Sequence, residues 1–112
     1  MITNTNIGAG PTPTTIFSSS GDNAVNLMVF CNTDSTTIGL LTVYVIPSGD
    51  SYATKHMIIR KTKLNPLETL TFSTEKLILA TGDTIRATAT QTDGSTALTG
   101  NAVAATVSSI AL

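Results

Sequence analysis

The sequence predicts an all-β protein: a single antiparallel β-sandwich of about eight strands, jelly-roll-like or immunoglobulin-like, with an extended N-terminal arm. Three observations support this fold class. The length of 112 residues suffices for one domain. The chain contains 22 threonines and 10 serines, and threonine, like valine and isoleucine, is stiff at χ1 and suits a pleated surface. Strand-like segments recur about every ten residues, and no helical stripe of comparable length interrupts them.

The first thirteen residues differ from the rest of the chain. They are polar, carry no charged side chain and include two prolines, which push their neighbours toward extended conformations. We therefore expect residues 1–13 to form an N-terminal arm that a neighbouring molecule orders, and residues 14–112 to form the sandwich domain. The arm residues predicted to contact a partner are Ile2, Ile7, Pro11 and Pro13.

Eight strand candidates follow the arm, and Gly-Asp pairs mark several of the turns between them. Residues 84–90 alternate most clearly between apolar and polar side chains. Residues 37–46 are apolar on both sets of alternate positions, so they form either a central strand of the sandwich or a strand that is also buried against a partner subunit. The predicted strands are residues 14–18, 24–32, 37–46, 57–64, 68–73, 76–79, 84–90 and 102–110.

The composition argues against several classes of partner. Only 12% of the residues are charged and the formal net charge is −1, so the chain has no general attraction for phosphate backbones and nucleic acid is not a predicted partner. Hydrophobic residues make up 41% of the chain, which is too many for a disordered protein. No signal peptide and no apolar stretch of about 18 residues are visible, so we expect synthesis in the cytoplasm and no membrane association.

The sequence predicts no catalytic, cofactor or metal site, and hence no enzyme. His56 is the only histidine available as a general base, and no serine lies in a G-x-S-x-G elbow; a surface or interface histidine is the favoured interpretation. Cys31 ends an apolar run, which predicts a buried and unreactive thiol. Four of the five aspartates adjoin a glycine, where the carboxylate normally bonds to the backbone of the turn.

The cations are clustered. Four of the six Lys and Arg residues, together with His56, lie between residues 55 and 63. Two interpretations stay open for this cluster: a solvated edge strand, on which lysines discourage unwanted sheet pairing, or a strip that docks onto an acidic patch of a protein partner. No aromatic residues are interleaved with the cations, which argues against single-stranded nucleic acid. The cations predicted to contact a partner, hereafter the basic strip, are Arg60, Lys61 and Lys63.

A longer pattern suggests a family. Residues 65–85, NPLETLTFSTEKLILATGDTI, contain an apolar strand that ends in T-F, then a T-E-K-L-I-L strand and a G-D-T-I turn. This pattern resembles small virion structural proteins of tailed bacteriophages, and the similarity of strand order extends over about residues 14–110. The resemblance implies a structural β-sandwich whose shared motifs are turns and core positions, without an active site.

The resemblance also implies a role. It points to a non-enzymatic capsid decoration, or cement, protein on the surface of the phage particle. Its partners would be the major capsid protein or other virion proteins, and it would be a homo-oligomer, with a trimer favoured. A neck, tail or fibre component is the first alternative. A carbohydrate-binding or adhesion module is a further alternative, and a small hydrolase has the least support from the residues present.

Overall fold

A computed structural model of the chain describes residues 1–8, 12–73, 77–92 and 103–112. Within these residues, nine strands form two antiparallel sheets that pack into a sandwich, which confirms the predicted fold class. One short 3-10 turn, Thr54–His56, precedes the fifth strand. The strands are β1 Ile2–Asn6, β2 Thr14–Ser18, β3 Asn23–Asn32, β4 Gly39–Ile46, β5 Met57–Leu64, β6 Thr69–Phe72, β7 Leu77–Leu79, β8 Thr84–Thr90 and β9 Val103–Ala111.

The sheet topology is that of a jelly roll. The five-stranded sheet has the order β1-β9-β3-β6, with β7 also paired to β3, and the four-stranded sheet has the order β2-β8-β4-β5. When the short β7 is set aside, the first strand pairs with the last, the second with the second-last, and so on inward. The chain is therefore a long antiparallel hairpin whose successive strand pairs enter the two sheets alternately, as in double-sheet jelly rolls.

The core lies between the two sheets and is built from alternate strand residues, as the period of two requires. Strand β4 lies between β8 and β5, with Leu41 and Val43 fully buried in the core. Its opposite face is also covered, since the rings of Tyr44 and Tyr52 meet edge to face with their centroids 5.6 Å apart. A central position, together with cover from the chain itself, therefore accounts for the two apolar faces of this strand.

The N-terminal segment is part of the sandwich, which differs from the expectation of a separate arm. Strand β1 pairs in antiparallel register with β9. The Ile7 N–H donates to the Val103 carbonyl at 2.9 Å, and the Ile7 side chain is only 2% exposed. The strand escapes detection in the sequence because Thr3 and Thr5, which face the core, are half-buried threonines rather than apolar residues.

The other boundaries agree closely with the predicted ones. Every predicted strand has a counterpart within the described residues, and the ends differ by a few residues at most. The predicted strand starts at Lys76 and Ala102 fall outside the part of the chain that the structure describes.

The turn that precedes β8 connects three loops. The Gly82 N–H donates to the Ser19 carbonyl and the Ser19 N–H donates to the Asp83 carbonyl, both at 2.9 Å. The Asp83 carboxylate accepts one hydrogen bond from the Ser48 N–H and another from the Ala80 N–H, again at 2.9 Å. The turn therefore ties together the end of β2, the loop after β4 and the start of β8. These hydrogen bonds link different strand pairs of the jelly roll.

Gly82 is expected to be more sensitive to substitution than Gly21, although both have a positive φ, +89° and +76°. A Cβ at position 82 would collide with the Ser48 side chain, whereas one at position 21 would meet nothing within 4 Å. We expect Gly21→Ala to lower the free energy of unfolding by about 1 kcal/mol and Gly82→Ala by at least about 2 kcal/mol. Urea denaturation measures both, and equal losses would contradict the proposed packing at Ser48.

Candidate interaction surfaces

The basic strip lies on β5, which forms one edge of the four-stranded sheet. Arg60, Lys61 and Lys63 are all exposed, and Ile58 on the same strand is partly exposed as well. None of these three cations forms an ion pair with another described residue. The strip is thus an accessible row of positive charge along one edge of the sandwich.

The backbone of the basic strip is irregular. The register between β4 and β5 shifts between Leu41 and Val43, and Lys61 has a φ of +50°. The Lys61 N–H donates to the Thr42 hydroxyl at 3.1 Å instead of to a strand carbonyl. Such a bulge, together with lysines, hinders the addition of another strand. The geometry therefore fits the edge-strand interpretation and leaves the cations accessible for the docking interpretation.

An aromatic pair borders the basic strip. Burial chiefly, and then the neighbouring Tyr52, raises the pKa of Tyr44, while the positive charge of Arg60 opposes this rise. Tyr44 lies on β4 next to the strand that carries the basic strip, opposite Met57 in the register. Tyr52 is 46% exposed, so this edge presents cations next to an accessible aromatic ring.

His56 is buried, in contrast to the surface or interface position expected for it. It is 8% exposed, and its Nδ1 accepts a hydrogen bond from the Ala53 N–H at 3.1 Å. Its Nε2 lies 3.5 Å from the Asp50 carboxylate. The short 3-10 turn directs the imidazole back over its own loop, so His56 closes the loop at 50–56 and is not a surface contact.

The predicted arm contacts fall into different environments. Ile2 is 68% exposed and is available to a partner. Ile7 is buried in the core, so its prediction as a partner contact is wrong; its backbone bond to β9 places the side chain between the sheets. Pro13 is half-buried, and Pro11 lies outside the described residues. Among the described members of this group, therefore, only Ile2 presents a large exposed side chain.

Three of the described carboxylates, those of Asp34, Glu68 and Asp83, accept backbone hydrogen bonds within or next to turns. The Asp34 carboxylate accepts hydrogen bonds from the backbone N–H groups of Thr36 at 2.8 Å and Thr37 at 3.0 Å. These backbone bonds hold the pKa of Asp34 below its usual value. Within the described parts of the chain, no three His, Cys, Asp or Glu side chains are grouped so that they could hold a metal ion.

The outer face of the five-stranded sheet is a second surface, which the sequence did not reveal. In the register, Ile78 of β7 and Ile110 of β9 flank Ala24 of β3. These two isoleucines are 63% and 54% exposed. The strand residues that face outward on this sheet carry no charge, as their positions in the register show. Because the exposed residues come from separate strands, no sequence window brings them together.

This face also holds a half-buried thiol and a shallow groove. Cys31 is opposite Thr69 and Ala104 on the outer side, so it is less buried than predicted. The groove, of about 230 Å³, runs between β1 and β9. No charged side chain lines it. Its lining residues are Asn4, Thr5, Asn6, Ala104, Ala105 and Thr106.

Comparisons with protein-family models, with curated proteins and with solved structures found no match to this chain. Among the described residues, no helix has the length and apolar character needed to cross a membrane.

The positive φ at Lys61 predicts an asymmetry within the basic strip. Lys61→Gly removes one charge and relieves a left-handed conformation, whereas Lys63→Gly removes one charge from a regular strand position opposite Leu40. We expect Lys61→Gly to maintain or raise the free energy of unfolding, and Lys63→Gly to lower it by about 1 kcal/mol. Chemical denaturation of both variants tests this. A greater loss at position 61 would contradict the bulge geometry.

The backbone bonds to Asp34 predict a pH-dependent contribution to stability. Since the pKa of Asp34 is lower in the folded state than the ordinary value of 3.8, its contribution is present above that pH and disappears as the pH falls through the folded-state pKa. The difference in urea midpoint between wild type and Asp34→Ala should therefore shrink below about pH 3.8. A difference that stays constant down to pH 2 would show that the carboxylate does not carry the contribution.

Proposed function

We propose that the chain is a non-enzymatic structural protein of a tailed bacteriophage particle, and specifically a capsid decoration protein that binds the head lattice as a homo-oligomer. The observation that carries this proposal is the exposed basic strip, Arg60, Lys61 and Lys63, on an edge that is shaped against strand pairing. An accessible row of like charge on a rigid sheet edge is suited to meeting an acidic patch on a protein surface.

The fold gives a structural reason for the sequence pattern that resembles phage virion proteins. The G-D-T-I turn of the resembling segment contains Gly82 and Asp83, which connect the loops next to Ser19 and Ser48. A sequence pattern that contains such a turn specifies a fold and not a substrate-binding site. Jelly rolls occur in viral capsid and lectin domains; this fold-level analogy adds support to the proposal without defining the function.

Docking would proceed through many weak contacts. A single exposed ion pair contributes about 0–1 kcal/mol, so one basic strip alone gives little affinity. A lattice offers the same acidic patch many times, and linked copies bind with an avidity far above that of one contact. The low charge of the other faces limits the cost of desolvation when neighbouring proteins approach.

Two alternative functions would use parts of the same surface. A neck, tail or fibre component would use the same strip on a structure that offers only a few sites per particle. A carbohydrate-binding module is favoured by one observation, the accessible ring of Tyr52, since exposed aromatic rings commonly stack on sugars. Binding on a glycan array that Tyr52→Ala abolishes would support that module; an array without any binder would argue against it.

The docking proposal is tested by charge reversal. We expect Lys61→Glu combined with Lys63→Glu to weaken binding to heads assembled without this chain by about tenfold or more, because attraction becomes repulsion. Binding of the wild type should also weaken as salt is raised. Quantitative mass spectrometry of sedimented heads gives the bound copies per particle, and circular dichroism verifies the fold of the variant.

A matched control places new carboxylates elsewhere. Thr69→Glu with Thr71→Glu changes two exposed positions on β6, at an edge of the other sheet. This control should bind the heads like the wild type. Unchanged occupancy of the strip variant would overturn the role of the basic strip. Saturation at only a few copies per particle would favour the neck, tail or fibre alternative over decoration.

A further inference from the structure

Strand β1 has an open edge. It pairs with β9 on one side, and no described strand pairs with its other side. The Ser109 N–H donates to the Met1 carbonyl at 2.8 Å, and the Ile7 N–H donates to the Val103 carbonyl at 2.9 Å. These two bonds lie just beyond the two ends of β1, and they determine which of its residues are hydrogen-bonded to β9.

The alternation of an antiparallel ladder then identifies the free backbone groups. Since positions 1 and 7 bond to β9, positions 3 and 5 do so as well, and the N–H and C=O groups of Ile2, Asn4 and Asn6 point away from β9. These three residues are exposed. The open edge therefore presents six backbone groups, three donors and three acceptors, in a regular row.

This row is complementary to itself. In an antiparallel pair of β1 strands centred on Asn4, position 2 faces position 6 of the other copy and position 4 faces its own counterpart. All six free groups of each copy are then bonded, as in the addition of a strand to a sheet edge. Moving the register by two residues would leave part of the row unpaired, so the centred register is the preferred one.

The side chains permit the same pairing. No residue of β1 is charged, and the amides of Asn4 and Asn6 both donate and accept hydrogen bonds. The α-amino group of Met1 is directed to the Ser109 carbonyl at 2.6 Å, on the side of β9. Two copies of this edge therefore meet without repulsion between like charges.

The other sheet edges do not offer an equivalent row. Strand β5 carries the basic strip and the Lys61 bulge, so two copies of it would repel each other. Strand β2 has a register shift between Thr15 and Phe17. Strands β6 and β7 are only four and three residues long. The regular and uncharged edge that matches β1 is thus a second β1.

We propose that two copies of the chain associate through antiparallel pairing of their β1 strands, which joins the two five-stranded sheets into one continuous sheet across a two-fold axis at Asn4. This inference concerns self-association and does not depend on the proposed docking to a phage head. It predicts a dimer where the sequence resemblance favours a trimer, because a two-fold pairing of identical edges closes at two copies.

The first test is the mass of the full chain in solution. A single strand pair covers less area than a standard stable interface of about 1,600 Å², so we expect a reversible dimer whose fraction rises with protein concentration. Sedimentation velocity over a series of concentrations measures this. A chain that stays monomeric at every concentration, or that forms a trimer, would overturn the proposal.

The second test alters the edge. Asn4→Lys places two like charges across the axis and should weaken the dimer by about tenfold or more. Asn4→Pro removes an outward N–H without removing a bond to β9 and should also weaken it. Thr71→Lys is the matched control, since Thr71 lies in the same row of the sheet but on β6, at the opposite edge. Equal dimerisation of Asn4→Lys and the control would contradict the pairing.

The third test determines the register. With Cys31 replaced by serine, Asn4→Cys should give a disulfide-linked dimer on mild oxidation, because each position 4 faces its own counterpart. Asn6→Cys should not, because in this register the two positions 6 are offset by about 13 Å along the strands. Efficient cross-linking at position 6, or none at position 4 in a chain that dimerises, would overturn the centred register.

Discussion

Every open β-sheet has two edges at which backbone N–H and C=O groups lack partners, and this constraint shapes the whole molecule. A jelly roll of two open sheets has four such edges, while this chain has few charged residues with which to protect them. Three of its six Lys and Arg residues lie on one edge strand, β5, where the Lys61 bulge adds to their effect. At a second edge, strands β6 and β7 are too short to offer a long row of unpaired groups. At a third, the register shift in β2 interrupts the row. The edge of β1 has none of these features.

The roll itself depends on contacts between segments that are distant in sequence. The turn at Gly82-Asp83 bonds to Ser19, Ser48 and Ala80, so it connects the loops of three strand pairs. Ordering these loops together costs conformational entropy, which the buried core offsets only after the sheets have closed. A small core with few aromatic residues makes such loop contacts more important, because each buried Val, Ile or Ala contributes less apolar area than an aromatic residue.

The sequence predicted what depends on local alternation and missed what depends on tertiary placement. Strand β8 alternates apolar and polar residues, so its position and inner face were predictable. Strand β1 was not, because its inward threonines carry no apolar signal and its one core residue, Ile7, follows the strand. His56 was misplaced for a related reason: its burial depends on a single 3-10 turn. The uncharged outer face combines residues from separate strands, so only the register reveals it.

The two exposed edges differ in what they can bind. Two copies of strand β5 would repel each other through Arg60, Lys61 and Lys63, so the partner that we propose for it is an acidic surface on another protein. Strand β1 carries no charge and its open edge is complementary to its own copy, so the partner that we propose for it is a second copy of the chain. These edges belong to different sheets of the sandwich, and pairing at one leaves the other accessible. A dimer would then present two basic strips, and two linked weak contacts bind a repetitive acidic surface far more tightly than one. The proposed self-association and the proposed docking would therefore reinforce each other, although each can fail without the other.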